Sequence, residues 1–404
     1  MDRKLNRINK LFPWYSGLSG DFLFYIPIMT IWLTQVKDFT EQQYILLFTI
    51  ASLFAICFQV LAIKIIKKIG NTKSVRFGAF CLLVSIILIT FSTHYLLFVL
   101  AVIIGQTGWI FRKIETVLIK NNLDYQSKSK NFVEIISKGN VIYATLTMVV
   151  ALIVGVLFNI HPYLPMALAI LNMLICFCLT FLLFDIEDKL PIKKEKQVKV
   201  KSNKFPQPFK LVLIILFIFG ISSGLFTIGA SSGQLLAQNE LLEYFSLNQA
   251  AIYLSIIIFV TRLVRLLVNM IYPKIYNRYN DRVGVILSAI IVCSMLLMVI
   301  GFYANVAFII KITLITIGLS LIVASFDPMN LFMQNICLTR FDKIYHQELI
   351  SYLGWFRKIG TFTLGLLMTL MLTAFPLEYV MIMFLITTLP LLYMYLRLKS
   401  MLKA

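Results

Sequence analysis

Apolar stretches of roughly 20 residues follow one another along almost the whole chain, separated by short polar joints. That is the length a helix needs to cross about 30 Å of hydrocarbon. The pattern predicts helices near 12–35, 44–66, 75–93, 96–119, 139–159 and 163–184. Six more are predicted near 209–235, 248–271, 283–302, 305–330, 349–373 and 378–397. The joints at 94 and 303 are so short that their flanking helices must form tight hairpins. The interval 185–208 is polar and lysine-rich and reads as a linker, dividing an N-terminal half, 1–184, from a C-terminal half, 209–404. The expected fold class is an all-α membrane protein of about twelve transmembrane helices in two six-helix repeats. The first apolar stretch is too long for a signal peptide and contains Asp21, so helix 1 reads as retained.

Composition sharpens this. Of 404 residues, 60% are hydrophobic and 14% charged, a balance that no water-soluble fold of this size shows. The net charge of +19 raises nucleic acid as a partner, but its distribution excludes that reading. Lysine and arginine fill the tails and alternate joints, whereas the opposite joints hold only Lys37. The positive-inside rule then places both termini in the cytoplasm of a multi-pass protein of the plasma (inner) membrane. The basic linker is expected to be attracted to anionic membrane lipids. The six cysteines fall in or at the ends of predicted helices and read as packing residues, and the three histidines sit in separate joints. No metal ligand set, phosphate loop or nucleophile–base pair is present, so no cofactor is expected and an enzyme is excluded.

The halves repeat one another. KIGNTKSVRFG at 68–78 matches KIYNRYNDRVG at 274–284 at five positions, both in the joint after the second helix of a half. VEIIS at 133–137 matches QELIS at 347–351, and Ser19-Gly20 matches Ser223-Gly224. Six helices per half make the repeats parallel. With these features the chain resembles the major facilitator superfamily over its whole length. The family's marker in the joint between helices 2 and 3 corresponds to 63–72, where Lys68 and Gly70 remain, Lys67 replaces the aspartate, and Lys73 and Arg76 lie just beyond. The resemblance implies alternating access, with Lys68, Gly70, Arg76, Lys274 and Arg282 as gating-loop candidates. Helix 5 lacks the Gly-Pro pattern of many of the family's drug/proton antiporters.

Charges inside hydrocarbon cost roughly 2.5–3.5 kcal/mol each, so those that persist face a cavity or a partner. The acids are Asp21, Glu115 and Asp327; the bases are Arg112, Lys113, Arg262, Arg265, Lys311, Arg357 and Lys358. Asp21, Glu115 and Asp327 are the proton-coupling candidates. Asp21 is expected near the midplane of helix 1, or at its polar N-terminus if the helix starts nearer Gly17. Arg112 and Glu115, at i and i+3, can pair with each other, as a structural ion pair or as a coupling site. Asp327 either takes part in coupling or, before Pro328, caps a helix restarted after a kink. Arg265, Lys311 and Lys358 have the option of snorkelling to an interface. Arg112, Arg262 and Arg357 are the substrate or charge-pair candidates, and a field dominated by them favours a carboxylate or phosphate. Helix 7 carries Gly220, Gly224, Gly229 and Gly233 among serines, which suits close packing or a rocking helix. The expected function is proton-coupled secondary transport of a small or medium organic solute, with export favoured over uptake. The rivals are a proton-coupled importer and a transporter-like membrane partner or sensor.

Overall fold

A computed structural model of the chain describes residues 2–128, 131–186, 188, 209–303, 306–341 and 346–403. These residues are overwhelmingly helical, with no strand among them, and helical segments fall at all twelve predicted stretches. Eight stretches among the described residues are long and apolar enough to cross a membrane, and Ile26–Val36 and Leu164–Thr180 are shorter apolar helices. Phe91, Leu96, Ile309 and Tyr393 point outward while Ser85, Arg112, Glu115 and Ser294 are buried. That inversion of the water-soluble pattern is what a lipid solvent requires. Cys81, Cys176 and Cys337 are buried, but Cys57, Cys178 and Cys293 are exposed, so packing accounts for only half of the cysteines.

The chain falls into two compact units, Met1–Met29 with Phe54–Lys201, and Thr30–Leu53 with Ser202–Ala404. The first contains α1 (Asp2–Leu18), the later part of α3 (Glu41–Ile69), α4 (Asn71–Phe91), α5 (Tyr95–Arg112), α6 (Glu115–Tyr125), α7 (Phe132–Ile160) and α8 (Leu164–Thr180).

Helix 1 is not the continuous span that hydropathy predicts. α1 begins in the basic tail and stops at Leu18, residues 19–25 are non-helical, and helix resumes as a 3-10 turn Ile26–Ile28, α2 (Met29–Ile31) and a π-turn Trp32–Val36. The break has local causes. The Ser19 hydroxyl and amide both bond to Tyr15 O, at 2.6 and 2.9 Å, and Pro27 has no amide hydrogen to donate. Backbone groups freed inside a membrane must find partners. Asn172 Nδ2 donates to Leu18 O at 3.0 Å, and the Phe22 amide donates to Asp21 Oδ1 at 2.9 Å. Helix 4 is also divided, at Lys113 and Ile114, and extends as α6 to Tyr125.

The start of α4 is held by the linker's first residues. Gly70 turns the chain at φ 88°, which L side chains rarely adopt, and a Cβ there would lie 2.7 Å from Asp188 Oδ1. The Asn71 and Thr72 amides donate to the Asp188 carboxylate at 3.1 and 2.7 Å. Asp185 accepts from the side chains of Asn71, at 2.7 Å, and Asn121, at 3.0 Å. Of the linker interval, residues 187 and 189–208 lie outside the described residues.

The second unit contains α9 (Phe209–Tyr244), α10 (Leu247–Tyr279), α11 (Val283–Tyr303), α12 (Phe308–Thr339), α13 (His346–Met371) and α14 (Leu377–Lys403). α9 runs to Tyr244, past its predicted end at 235. It packs backbone to backbone on α13, where a Cβ on Gly360 would lie 1.9 Å from Gly220 O. α12 passes through Pro328 unbroken, so Asp327 caps no restarted helix.

Corresponding hairpins of the two halves use the same device. Ser85 Oγ donates to Ala101 O at 2.7 Å between α4 and α5, and Ser294 Oγ donates to Gly318 O at 2.6 Å between α11 and α12. The matching joints differ, however. α4 starts at Asn71, whereas α10 continues past Asn277 to Tyr279 and turns at Asn280, φ 45°. The side chains at 133, 137, 347, 348, 350 and 351, within the second repeat match, lie outside the described residues.

Candidate functional site

In the first unit, Arg112 ends α5 and Glu115 begins α6, so the break in helix 4 lies between two charged residues. Arg112 Nε donates to Glu115 Oε2 at 2.9 Å and Nη2 to Oε1 at 3.2 Å, the pairing expected from their spacing. Both residues are buried, and the guanidinium lies over the Trp109 ring at 4.9 Å. Trp109 packs on Phe22 at 5.8 Å. The Tyr15 hydroxyl of α1 is fully buried and within electrostatic range of both charges, as is the Cys176 thiol of α8. Isolated buried charges are costly in apolar surroundings, and mutual hydrogen bonding is what keeps this pair tolerable.

Asp21 is not nine residues inside a helix. It sits half-buried in the break of helix 1, with the Tyr143 hydroxyl 3.5 Å from Oδ2. A Cβ on Gly17 would lie 2.5 Å from Ile142, and one on Gly20 would lie 2.4 Å from the Tyr143 ring, so the end of α1 and the start of the break press onto α7. Glycine there lets a non-helical segment lie flat against its neighbour.

The second unit gathers Arg262, Arg265, Asp327 and Arg357. Arg265 does not snorkel: Nε donates to Asp327 Oδ2 at 2.7 Å and Nη2 to Oδ1 at 2.8 Å. A bidentate fork to a carboxylate on the neighbouring α12 outweighs the reach to an interface. Asn269 Nδ2 adds a third donor to Oδ2 at 2.7 Å. Arg262 and Arg357 lie within electrostatic range of that carboxylate. The Arg357 guanidinium rests over the Phe326 ring at 4.6 Å, and Phe326 stacks on Phe226 at 3.9 Å and 19°. Three guanidiniums thus share one carboxylate within an apolar bundle.

The gating-loop candidates divide. Lys68 and Lys274 are exposed near the ends of α3 and α10, and Arg282 is exposed in the joint that follows α10. Arg76 turns back on its own unit, reaching the carbonyls of Thr180 and Leu183 at 3.5 Å and lying over the Phe181 ring at 5.2 Å.

Pattern reading misses several groups. Glu240 is 2% exposed in α9, with Lys311 Nζ 3.4 Å from its Oε1, so Lys311 does not simply snorkel either. Beside it Gln238 donates to Thr34 Oγ1 at 2.7 Å and Asn239 to Glu41 Oε1 at 2.6 Å. Tyr15, Asn269, Asp185 and Asp188 are also absent from the sequence-derived set. For Glu240 the sequence carries no signal of burial, because the polar run 238–240 has the composition of a joint.

No curated protein matches the chain. Among solved structures it is similar to the nucleoside transporter NupG, at TM-score 0.71 and 12% identity over 98% of each chain. A point mutant of NupG aligns at TM-score 0.73 and 10% identity over 98% of this chain and 99% of that one. A bacterial homologue of the iron transporter ferroportin in an inward-facing state aligns at TM-score 0.64 and 13% identity over 99% of each chain. At such identities the likeness establishes the fold alone. The sequence pattern of the Major Facilitator Superfamily matches residues 11–340. With that match over most of its length, the chain belongs to the Major Facilitator Superfamily and is a multi-pass membrane transporter of a solute, not an enzyme.

Proposed function

We propose that the chain is a proton-coupled secondary transporter that exports a small or medium organic solute carrying a carboxylate or phosphate. The observation that carries this reading is the second unit's cluster. Arg262, Arg265 and Arg357 share the single carboxylate of Asp327, and Arg265 already occupies both of its oxygens. Arg262 makes no hydrogen bond or ion pair of its own among the described residues, so its planar fork of donors is open to an oxyanion. The similar structures range from a nucleoside transporter to a bacterial metal transporter, so the fold leaves the substrate open and the charges decide. A surplus of guanidinium disfavours a cation.

Proton coupling is assigned to Asp21 and Glu115, with Asp327 held by Arg265 as the less mobile acid. Asp21 lies in a discontinuous helix, the kind of element that lines ion and substrate sites in transporters. Export rests on the aromatic content, 14% of the chain, which suits an amphipathic solute. The basic joints put both termini in the cytoplasm, in contact with anionic lipid.

The test is counterflow in proteoliposomes across carboxylates, phosphate esters, nucleosides and lipophilic cations, followed by transport under an imposed pH gradient. An anion should be carried, Arg262→Gln and Arg357→Gln should weaken it selectively, and Asp21→Asn should abolish accumulation while exchange persists. Preference for cations, indifferent to both arginine substitutions, would sink the reading.

A further inference from the structure

The seam between α9 and α12 in the second unit changes character partway along. A Cβ on Gly233 would lie 3.2 Å from the Leu319 side chain, and one on Gly229 would lie 3.3 Å from Ile322, so glycine meets aliphatic side chains at both levels. The next level in the same antiparallel register is Phe226 against Phe326, and here two rings stack at 3.9 Å and 19°. Close helix packing is served by small residues, whereas two stacked rings hold the backbones apart. Both phenylalanines stand near the middle of their helices, and Asp327, the carboxylate shared by the arginines, follows Phe326 directly.

The two rings belong to a longer column. The Arg357 guanidinium lies 4.6 Å from the Phe326 centroid. Two groups that close to one ring cannot share a face, so the guanidinium covers one face of Phe326 and Phe226 covers the other. Rings so nearly eclipsed are disfavoured by their quadrupoles, and a cation on the far face of one of them offsets this by drawing its π density away. Phe326 is thereby used on both sides and is only 8% exposed. Phe226 is half-buried, and beyond Phe326 it makes no ring contact among the described residues.

We propose that the second face of Phe226 is the stacking position for a flat ring of the solute, so that the transporter selects aromatic acids over aliphatic acids of the same size. The solute's ring forms the next layer of the column, while its carboxylate or phosphate is drawn to the guanidiniums around Asp327. Phe226 is then a specificity-determining residue. A saturated ring buries no less apolar area but has no π face, so it gains from burial and not from the stack. This deepens the transport reading, on which it rests only for the negative charge of the solute.

The test uses the full chain in phosphatidylcholine nanodiscs, with benzoate, cyclohexanecarboxylate and benzamide as separate probes in calorimetry. Benzoate should bind about three- to tenfold tighter than cyclohexanecarboxylate, which carries the same charge on a saturated ring. Phe226→Leu keeps an apolar side chain without the ring and should bring the two acids to parity, whereas Phe226→Tyr should keep the preference. A residue that only packs α9 on α12 would weaken both acids together and leave their ratio unchanged in Phe226→Leu, a result that overturns the proposal. Equal affinities of the two acids for the wild type overturn it as well, in a comparison that needs no variant to fold. So does the absence of saturable benzoate binding at millimolar concentration. Benzamide separates the ring from the charge. If it binds as tightly as benzoate while cyclohexanecarboxylate stays weaker, the stacking position stands and the anion reading fails. If the two acids are equal and benzamide is weaker, the anion reading stands and the stacking position fails.

Discussion

Two glycines six residues apart on α13 provide a controlled test of the backbone contact within the second unit. A Cβ on Gly360 falls 1.9 Å from Gly220 O and 2.3 Å from Gly220 C, whereas one on Gly354 meets nothing within 4 Å. Ordinary contact begins at 3.4 Å, so Gly360→Ala requires α9 and α13 to part by about 1.5 Å locally. The atoms in the way are backbone, which has no rotamer to change. Overpacking of this kind costs about 1–3 kcal/mol, against which alanine returns roughly 0.5–1 kcal/mol of helix propensity. Gly354→Ala receives the propensity gain without the clash. The same substitution on one helix should thus differ by about 2 kcal/mol between the two sites, or roughly thirtyfold in the folded ratio. Thermal unfolding of detergent-solubilised protein, followed by loss of the monodisperse size-exclusion peak, should show Gly360→Ala a few degrees below wild type and Gly354→Ala at or above it. Equal shifts for the two, or an unchanged Gly360→Ala, would refute a direct backbone contact between α9 and α13.

Asp327→Ala leaves Arg265 without its bidentate partner inside the bundle and should destabilise by about 3 kcal/mol, the lower part of the range for breaking buried pairs, because both side chains keep some exposure. The double variant Arg265→Gln/Asp327→Asn should recover most of that loss in the same unfolding assay. Asp188→Ala removes the acceptor of two amides at the start of α4, worth about 1 kcal/mol, so amide exchange at Asn71 and Thr72 should quicken roughly fivefold while the middle of α4 is unaffected. For topology, single cysteines at Lys68 and Asn248, both exposed, should react with a membrane-impermeant maleimide from opposite sides once Cys57, Cys178 and Cys293 are removed. Labelling of both from one side contradicts the charge-based orientation.

The Arg112–Glu115 pair is readable in the sequence because its partners are three residues apart, a distance that helical geometry alone resolves. Arg265 and Asp327 are 62 positions apart on different helices, and hydropathy assigns each a depth without saying which faces which. Snorkelling is the default for a long basic chain near a helix end, and only the approach of α12 to α10 replaces it with an ion pair. Glu240 escapes for a related reason. Gln238, Asn239 and Glu240 have the composition of a joint, which ends the predicted helix at 235. In the fold the run continues as helix because Thr34, Glu41 and Lys311 meet its polar groups.

The break in helix 1 marks a different limit. A hydropathy window weighs side chains, and the run from Phe22 to Ile28 is equally apolar whether its backbone is helical or not. The information that separates the two states lies in a few residues that the window averages away: Ser19, whose hydroxyl takes the Tyr15 carbonyl, Gly17 and Gly20, which admit α7, and Pro27, which offers no amide hydrogen. Asn172, on a helix 154 positions along the chain, then supplies a donor that lets α1 stop at Leu18. A charge such as Asp21 is expensive in the middle of a continuous helix facing lipid. It is far less so in a segment whose own amide, that of Phe22, turns toward the carboxylate. The acid and the break are one feature: the irregular backbone makes the charge tolerable, and the charge gives the irregular backbone a partner.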